Sequence, residues 1–149
     1  MLSEGINEIF ITFFFAVIGY TGLTITLLLS LKKNIPQLFW RIVSLIILIH
    51  VFMVWSYRYD WQFAVSVRNG YSGFLIFHTA LLMILLSNFV KENIEKTLIR
   101  ISFIVVTTGA VGAVFKYDVV AVYKILVLIC AAVGSTGLLW VFLKRLKKE

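Results

Sequence analysis

The chain holds two histidines, His50 and His78, and both fall inside long apolar runs. Ionisable residues in such runs are uncommon and are functional candidates by default. His50 lies seven residues before Tyr57, and His78 lies seven residues after Tyr71. If the two runs are consecutive antiparallel helices, a rise of about 1.5 Å per residue puts each imidazole roughly 10 Å below the same surface. Level imidazoles on neighbouring helices can hold a metal or a metal cofactor between them. An axial pair on a haem iron is the leading expectation for that arrangement in a helical bundle.

A haem held this way turns its propionates to water, where cations and hydrogen-bond donors must meet them. Arg58 follows the His50 run at its exit, Arg68 stands just before the His78 run, and Tyr57 is a candidate donor. Lys124, about a turn and a half into the last apolar run, can snorkel to the same surface. The expected cofactor-binding set is therefore His50, His78, Arg58, Arg68, Lys124 and Tyr57, with His50 and His78 as metal ligands and haem b as the cofactor. Copper is a weaker alternative: Met53 shares the face of His50, and Met83 and Cys130 add soft ligands. Against copper, Met83 is five residues from His78, no Met-x-x-Met or Cys-x-x-Cys exists, and methionine serves as core filler. A quinone is the other weaker alternative. The plain reading of the histidines is hydrogen bonding between helices, and that of each arginine is an ordinary membrane-interface residue.

The elements that must position these residues follow from composition. Of the 149 residues, 61% are hydrophobic and 14% charged, with a mean hydropathy of +0.99. A soluble domain carries about 45–50% apolar and about 25% charged residues, so this chain lacks the polar surface to cover a water-soluble globule. The same numbers exclude a disordered chain, and the single cysteine excludes a disulfide framework. The net charge of +7 sits in short clusters between apolar runs, no glycine-rich phosphate loop occurs, and no nucleic-acid partner is expected. The expected fold is an all-α integral membrane protein, one domain over residues 1–149. Its five transmembrane helices span about 9–31, 38–57, 71–90, 98–115 and 119–143. Only Lys116-Tyr117-Asp118 separates the last two, which predicts a tight hairpin.

One side collects Lys32, Lys33, Arg41, Lys91, Lys96, Arg100, Lys144, Arg145, Lys147 and Lys148; the other has Arg58, Arg68, Lys116 and Lys124. This asymmetry places the N-terminus outside and the C-terminus in the cytoplasm, as expected for a prokaryotic cytoplasmic (inner) membrane. Trp40 and Trp140 then mark the inner interface, and Trp55, Tyr57, Tyr59, Trp61 and Tyr71 the outer one. The start, Met1-Leu2-Ser3-Glu4, has no basic segment, so the first span is not read as a cleavable signal. Gly19, Gly22, Gly109, Gly112, Ala131, Gly134 and Gly137 are spaced for close helix approach.

No Asp or Glu falls within a span, and neither a His-Glu-x-x-His motif nor a hydrolytic triad is suggested. The chain is expected to carry or shelter something in the bilayer. Over residues 38–89 its plan, level histidines on adjacent spans with arginines on the same side, resembles small b-type cytochrome membrane subunits. That resemblance implies an electron-transfer subunit relaying electrons between the quinone pool and a periplasmic redox protein, and not a stand-alone enzyme. The alternative expectation is a non-redox structural or assembly subunit of a larger membrane complex. Beyond the lipid bilayer, a partner protein is expected in either case.

Overall fold

The structure, a computed structural model, describes residues 2–32, 34–68, 70–116 and 118–147, and among these it is helical with no strand. Met1, Lys33, Tyr117 and Lys148, which entered the reading of the start, the orientation and the hairpin, lie outside the described residues. In chain order the elements are α1 (Leu2–Lys32), α2 (Gln37–Met53) continuing as a π-helical turn (Val54–Arg58), the short α3 (Phe63–Ser66), α4 (Tyr71–Ser87), α5 (Glu92–Lys116), a 3-10 turn (Asp118–Tyr123) and α6 (Lys124–Leu146).

Four segments are long and apolar enough to cross a membrane: Glu8–Lys32, Gln37–Arg58, Glu92–Lys116 and Val120–Lys144. The expected third span differs. It ends at Ser87 and not near residue 90, giving a helix of 17 residues. That is about 25 Å of helix against about 30 Å of bilayer hydrocarbon. Its end is fixed by side chains that take up the last carbonyls. Ser87 Oγ donates to the Ile84 carbonyl at 2.7 Å, and Asn88 Nδ2 donates to the same oxygen at 2.9 Å. α5, by contrast, starts about two turns earlier than the hydropathy suggests. Glu92 and Glu95 depress the apolar signal there, but acidic residues favour a helix N-terminus, and Lys96 pairs with Glu92 one turn on.

α1 is the central element, packed on α2, α5 and α6, while α4 lies chiefly on α5. Tyr20, Leu23 and Leu27 of α1 meet Trp40 and Val43 of α2, Ile84 of α4, and Ile99 and Phe103 of α5 in one buried core. The buried hydroxyls of α1 place no demand on a ligand. Thr12, Thr24 and Thr26 each donate to the carbonyl four residues back, at 2.8–2.9 Å. A Cβ on Gly22 would lie 2.6 Å from Val43, so glycine is what lets α1 approach α2. Gly19, Gly109, Gly134 and Gly137 sit at similar helix contacts, whereas Gly112 has open space beside it.

Among the described residues one charged side chain is buried. Glu95, 2% exposed, takes Gln37 Nε2–H bonds on both carboxylate oxygens, at 2.9 and 3.1 Å, tying α5 to the start of α2. Gln37→Leu is expected to destabilise the bundle by about 1–3 kcal/mol by stranding that carboxylate. Adding Glu95→Leu should recover most of the loss. Mixed-micelle unfolding of both variants measures this, and no recovery in the double variant would refute the pairing.

Candidate functional site

The imidazoles are placed by α2 and α4, and each is engaged, though with different partners. His50 Nδ1 lies 2.9 Å from the Thr12 carbonyl of α1. A carbonyl only accepts, so Nδ1 carries the proton and donates. The lone pair of the neutral ring is then on Nε2, which makes no hydrogen bond among the described residues. His78 Nδ1–H donates in the same way to the Phe74 carbonyl at 2.8 Å, one turn back in α4. Its Nε2 accepts the indole N–H of Trp55 at 3.1 Å.

The α2 partner of His78 is therefore Trp55, and His50 is turned to α1. The two faces of α2 explain this. Val43, Ile47 and His50 follow the side that meets α1, where Gly19 and Gly22 admit them. Trp40, Ser44 and Trp55 follow the side that meets α4. The two imidazoles expected to share a metal cofactor thus bond to different partners, and both hold the proton on Nδ1.

Around His78 the structure builds an aromatic cluster. Phe74 stacks on the imidazole with centroids 3.9 Å apart, and Trp55 meets it edge-on at 5.8 Å. Trp55 also contacts Tyr59, Phe74 and Trp61. Trp61 is brought there by an unusual backbone: Asp60 and Trp61 have φ of 47° and 56°, left-handed values that side chains disfavour. Neither this fold-back nor the π-turn before it has a sequence signature, and reading Trp55 as an interface anchor missed its bond to His78.

Tyr57 and Arg58 are exposed on the π-turn, and Arg68 is exposed shortly before α4, so these three belong to the same end of the bundle. Tyr57 lines a shallow crevice of about 390 Å³ with Met53 and Trp61. Lys124 stands at the start of α6 with Nζ 4.0 Å above the Phe115 ring, a cation–π contact. Phe77 packs on Gly109 of α5. Of the copper candidates, Cys130 is buried 3.8 Å from Thr21 Oγ1. No three His, Cys, Asp or Glu side chains gather among the described residues.

His78→Leu is expected to destabilise the bundle by about 1–2 kcal/mol, because the Trp55 indole N–H loses its acceptor. His50→Leu should cost less, since the Thr12 carbonyl can keep the ordinary helical bond from residue 16. A larger loss at His50 in mixed-micelle unfolding would contradict this order. Comparison with known protein families, with characterised proteins and with solved structures finds no match to this chain.

Proposed function

We propose that the chain is a non-redox structural or assembly subunit of a larger membrane complex. All five apolar helices, α4 included, cross a prokaryotic inner membrane, with the N-terminus outside and the C-terminus in the cytoplasm. One observation carries this reading: the imidazoles work as struts. His50 ties α2 to the α1 backbone, and His78 ties α4 to Trp55 through one nitrogen and to its own helix through the other. Hydrogen bonds of this kind hold helices together in lipid. The many large apolar side chains on the outer faces, such as Ile125, Leu139 and Phe142 of α6, suit a bilayer or a neighbouring helix.

A second reading is favoured by the tautomers. With each Nδ1–H donated to a backbone carbonyl, Nε2 is the lone-pair nitrogen on both rings, the form in which a ligating imidazole is held. In this reading one haem b takes His50 and His78, with Arg58, Arg68 and Tyr57 toward its propionates, and the chain relays electrons from the quinone pool to a periplasmic partner. It requires Trp55 to leave the Nε2 of His78.

Gentle solubilisation of native membranes, with a reduced-minus-oxidised spectrum on the purified material, separates the two. The structural reading expects a stoichiometric partner protein and no Soret band belonging to this chain. A lone chain carrying about one haem by pyridine haemochrome, lost in a His50→Ala, His78→Ala double variant, overturns it in favour of the relay.

A further inference from the structure

α4 is joined to its two neighbours in different ways. Toward α5 it packs closely: the Phe77 ring lies over Gly109, and Ser102 Oγ donates to the Ala80 carbonyl at 3.5 Å. Toward α2 it is pinned at two levels. At the Trp40 end, Trp40 Nε1–H donates to Ser87 Oγ at 2.9 Å and Asn88 Nδ2–H to Ser44 Oγ at 3.0 Å, with Trp40, Ser44 and Ser87 all buried. At the other end stands the Trp55–His78 bond, between half-buried residues. The helices part between these levels, leaving a crevice of about 300 Å³ walled by Leu48, Val51 and Leu81 and capped by Trp55 and His78. Phe52 and Trp61, each more than half exposed, stand at its mouth.

The two pins are not equivalent. The Trp40 pin is sealed in the core, whereas the Trp55 pin is carried on a π-helical turn that runs into the left-handed residues Asp60 and Trp61. Such backbone persists only where its surroundings hold it. Here the Trp61 ring is stacked on Trp55 at 6.2 Å and lies against Phe52 at 5.9 Å. Breaking the Trp55–His78 bond therefore frees both the cap of the crevice and the turn that keeps Trp61 across its mouth.

We propose that the Trp55–His78 hydrogen bond is the latch of a sideways opening between α2 and α4, hinged at the Trp40 pin, that admits one hydrocarbon chain of a bilayer lipid into the crevice. The walls select hydrocarbon: they are aliphatic and aromatic, carry no charged side chain, and belong to the apolar lengths of α2 and α4. α4 pivots on its α5 seam, while α5 stays on α1 through the Tyr20–Thr107 hydrogen bond and the Tyr20–Phe103 stack, because the α2–α4 seam is the sparsely packed one. The inference rests on the membrane-spanning reading and is independent of whether the complex is redox-active.

The test uses the full chain in lipid nanodiscs with its four tryptophan indoles labelled with ¹⁵N, and a lipid bearing a nitroxide at mid-chain. In the wild type the Trp55 indole proton should be shifted downfield, slow to exchange and little broadened by that lipid. In His78→Leu the downfield shift should vanish and the broadening rise several-fold, with the Trp40 signal unmoved. His78→Gln, whose amide oxygen accepts a hydrogen bond, should return toward the wild type. Trp55→Phe, read at the His78 ring signals, should show the same rise from the other side of the latch. Unchanged broadening in His78→Leu and Trp55→Phe overturns the proposal, as does a wild-type Trp55 signal already as broad as that of exposed Trp61. If Trp61 and Trp140, both exposed, also stay sharp in every sample, the membrane-spanning reading itself has failed, and the latch with it.

Discussion

Trp40→Ala is expected to be the most damaging single truncation in the bundle, costing about 3 kcal/mol. Trp40 is fully buried where α2, α4 and α1 meet, and its indole N–H donates to Ser87 Oγ at 2.9 Å. Truncating a core Trp in a soluble protein costs about 3–5 kcal/mol, through lost contacts and the cavity left behind. The lower end applies here, because an unfolded helix in a micelle or bilayer still has apolar surroundings and the transfer part shrinks. Trp40→Phe separates the contributions. It keeps most of the packing and removes one neutral hydrogen bond, worth about 1 kcal/mol. Ser87 keeps its own bond to the Ile84 carbonyl, so its oxygen is not left isolated. Reversible unfolding in mixed dodecylmaltoside and SDS micelles measures both variants. Equal losses for Ala and Phe would mean that the hydrogen bond, and not the packed ring, holds α4 to α2.

Gly134→Ala is expected to destabilise by about 1–3 kcal/mol, the range for overpacking a filled core, while Gly109→Ala should cost under about 1 kcal/mol by the same reasoning. The local clash is alike at both positions. A Cβ on Gly134 would run into the Phe103 ring, and one on Gly109 into the Phe77 ring. What differs is whether the ring can leave. Phe103 is 1% exposed and stacked on Tyr20, whose hydroxyl is hydrogen-bonded to Thr107 at 2.9 Å, so α6 itself must back away from α5. Phe77 is 46% exposed and can swing into the surroundings. Thermal unfolding of the two variants in the same detergent decides between them. Combining Gly134→Ala with Phe103→Leu should restore part of the loss, since residues in contact couple. If Gly109→Ala proves the worse variant, the α4–α5 seam is tighter than the exposure of Phe77 implies.

Composition and hydropathy were enough to determine an all-helical chain with helices apolar enough to span a bilayer, and to place four of them. Those properties are sums over 18 or more residues, and such sums survive ignorance of neighbours. Helix ends were less legible. Asn88 and Ser87 stop α4 by bonding its last carbonyls, and the helix N-terminus recruits Glu92 and Glu95 into α5, both local effects that a hydropathy window averages away.

The sequence also singled out His50 and His78, because an ionisable group in an apolar run is conspicuous whatever lies beside it. It could not say what each ring faces. That is decided by which side of α2 meets α1 and which meets α4, and the deciding contacts are Gly19 and Gly22 against Ile47 and Val43, one and two turns before His50. The tryptophans make the same point. Trp40 and Trp140 read alike as interface anchors, yet Trp40 is sealed in the core, while Trp140 is 61% exposed under the Lys144 ammonium. Trp55 became the partner of His78 through a π-turn and a left-handed fold-back. There the Trp61 ring meets Trp55 and Phe52 of its own segment, and Trp55 in turn meets Phe74 and His78 only once α4 has packed on α2. Apolar content is a property of each residue, so the sequence carries it directly; the direction a side chain points is a property of helix pairs, and only the tertiary structure sets it.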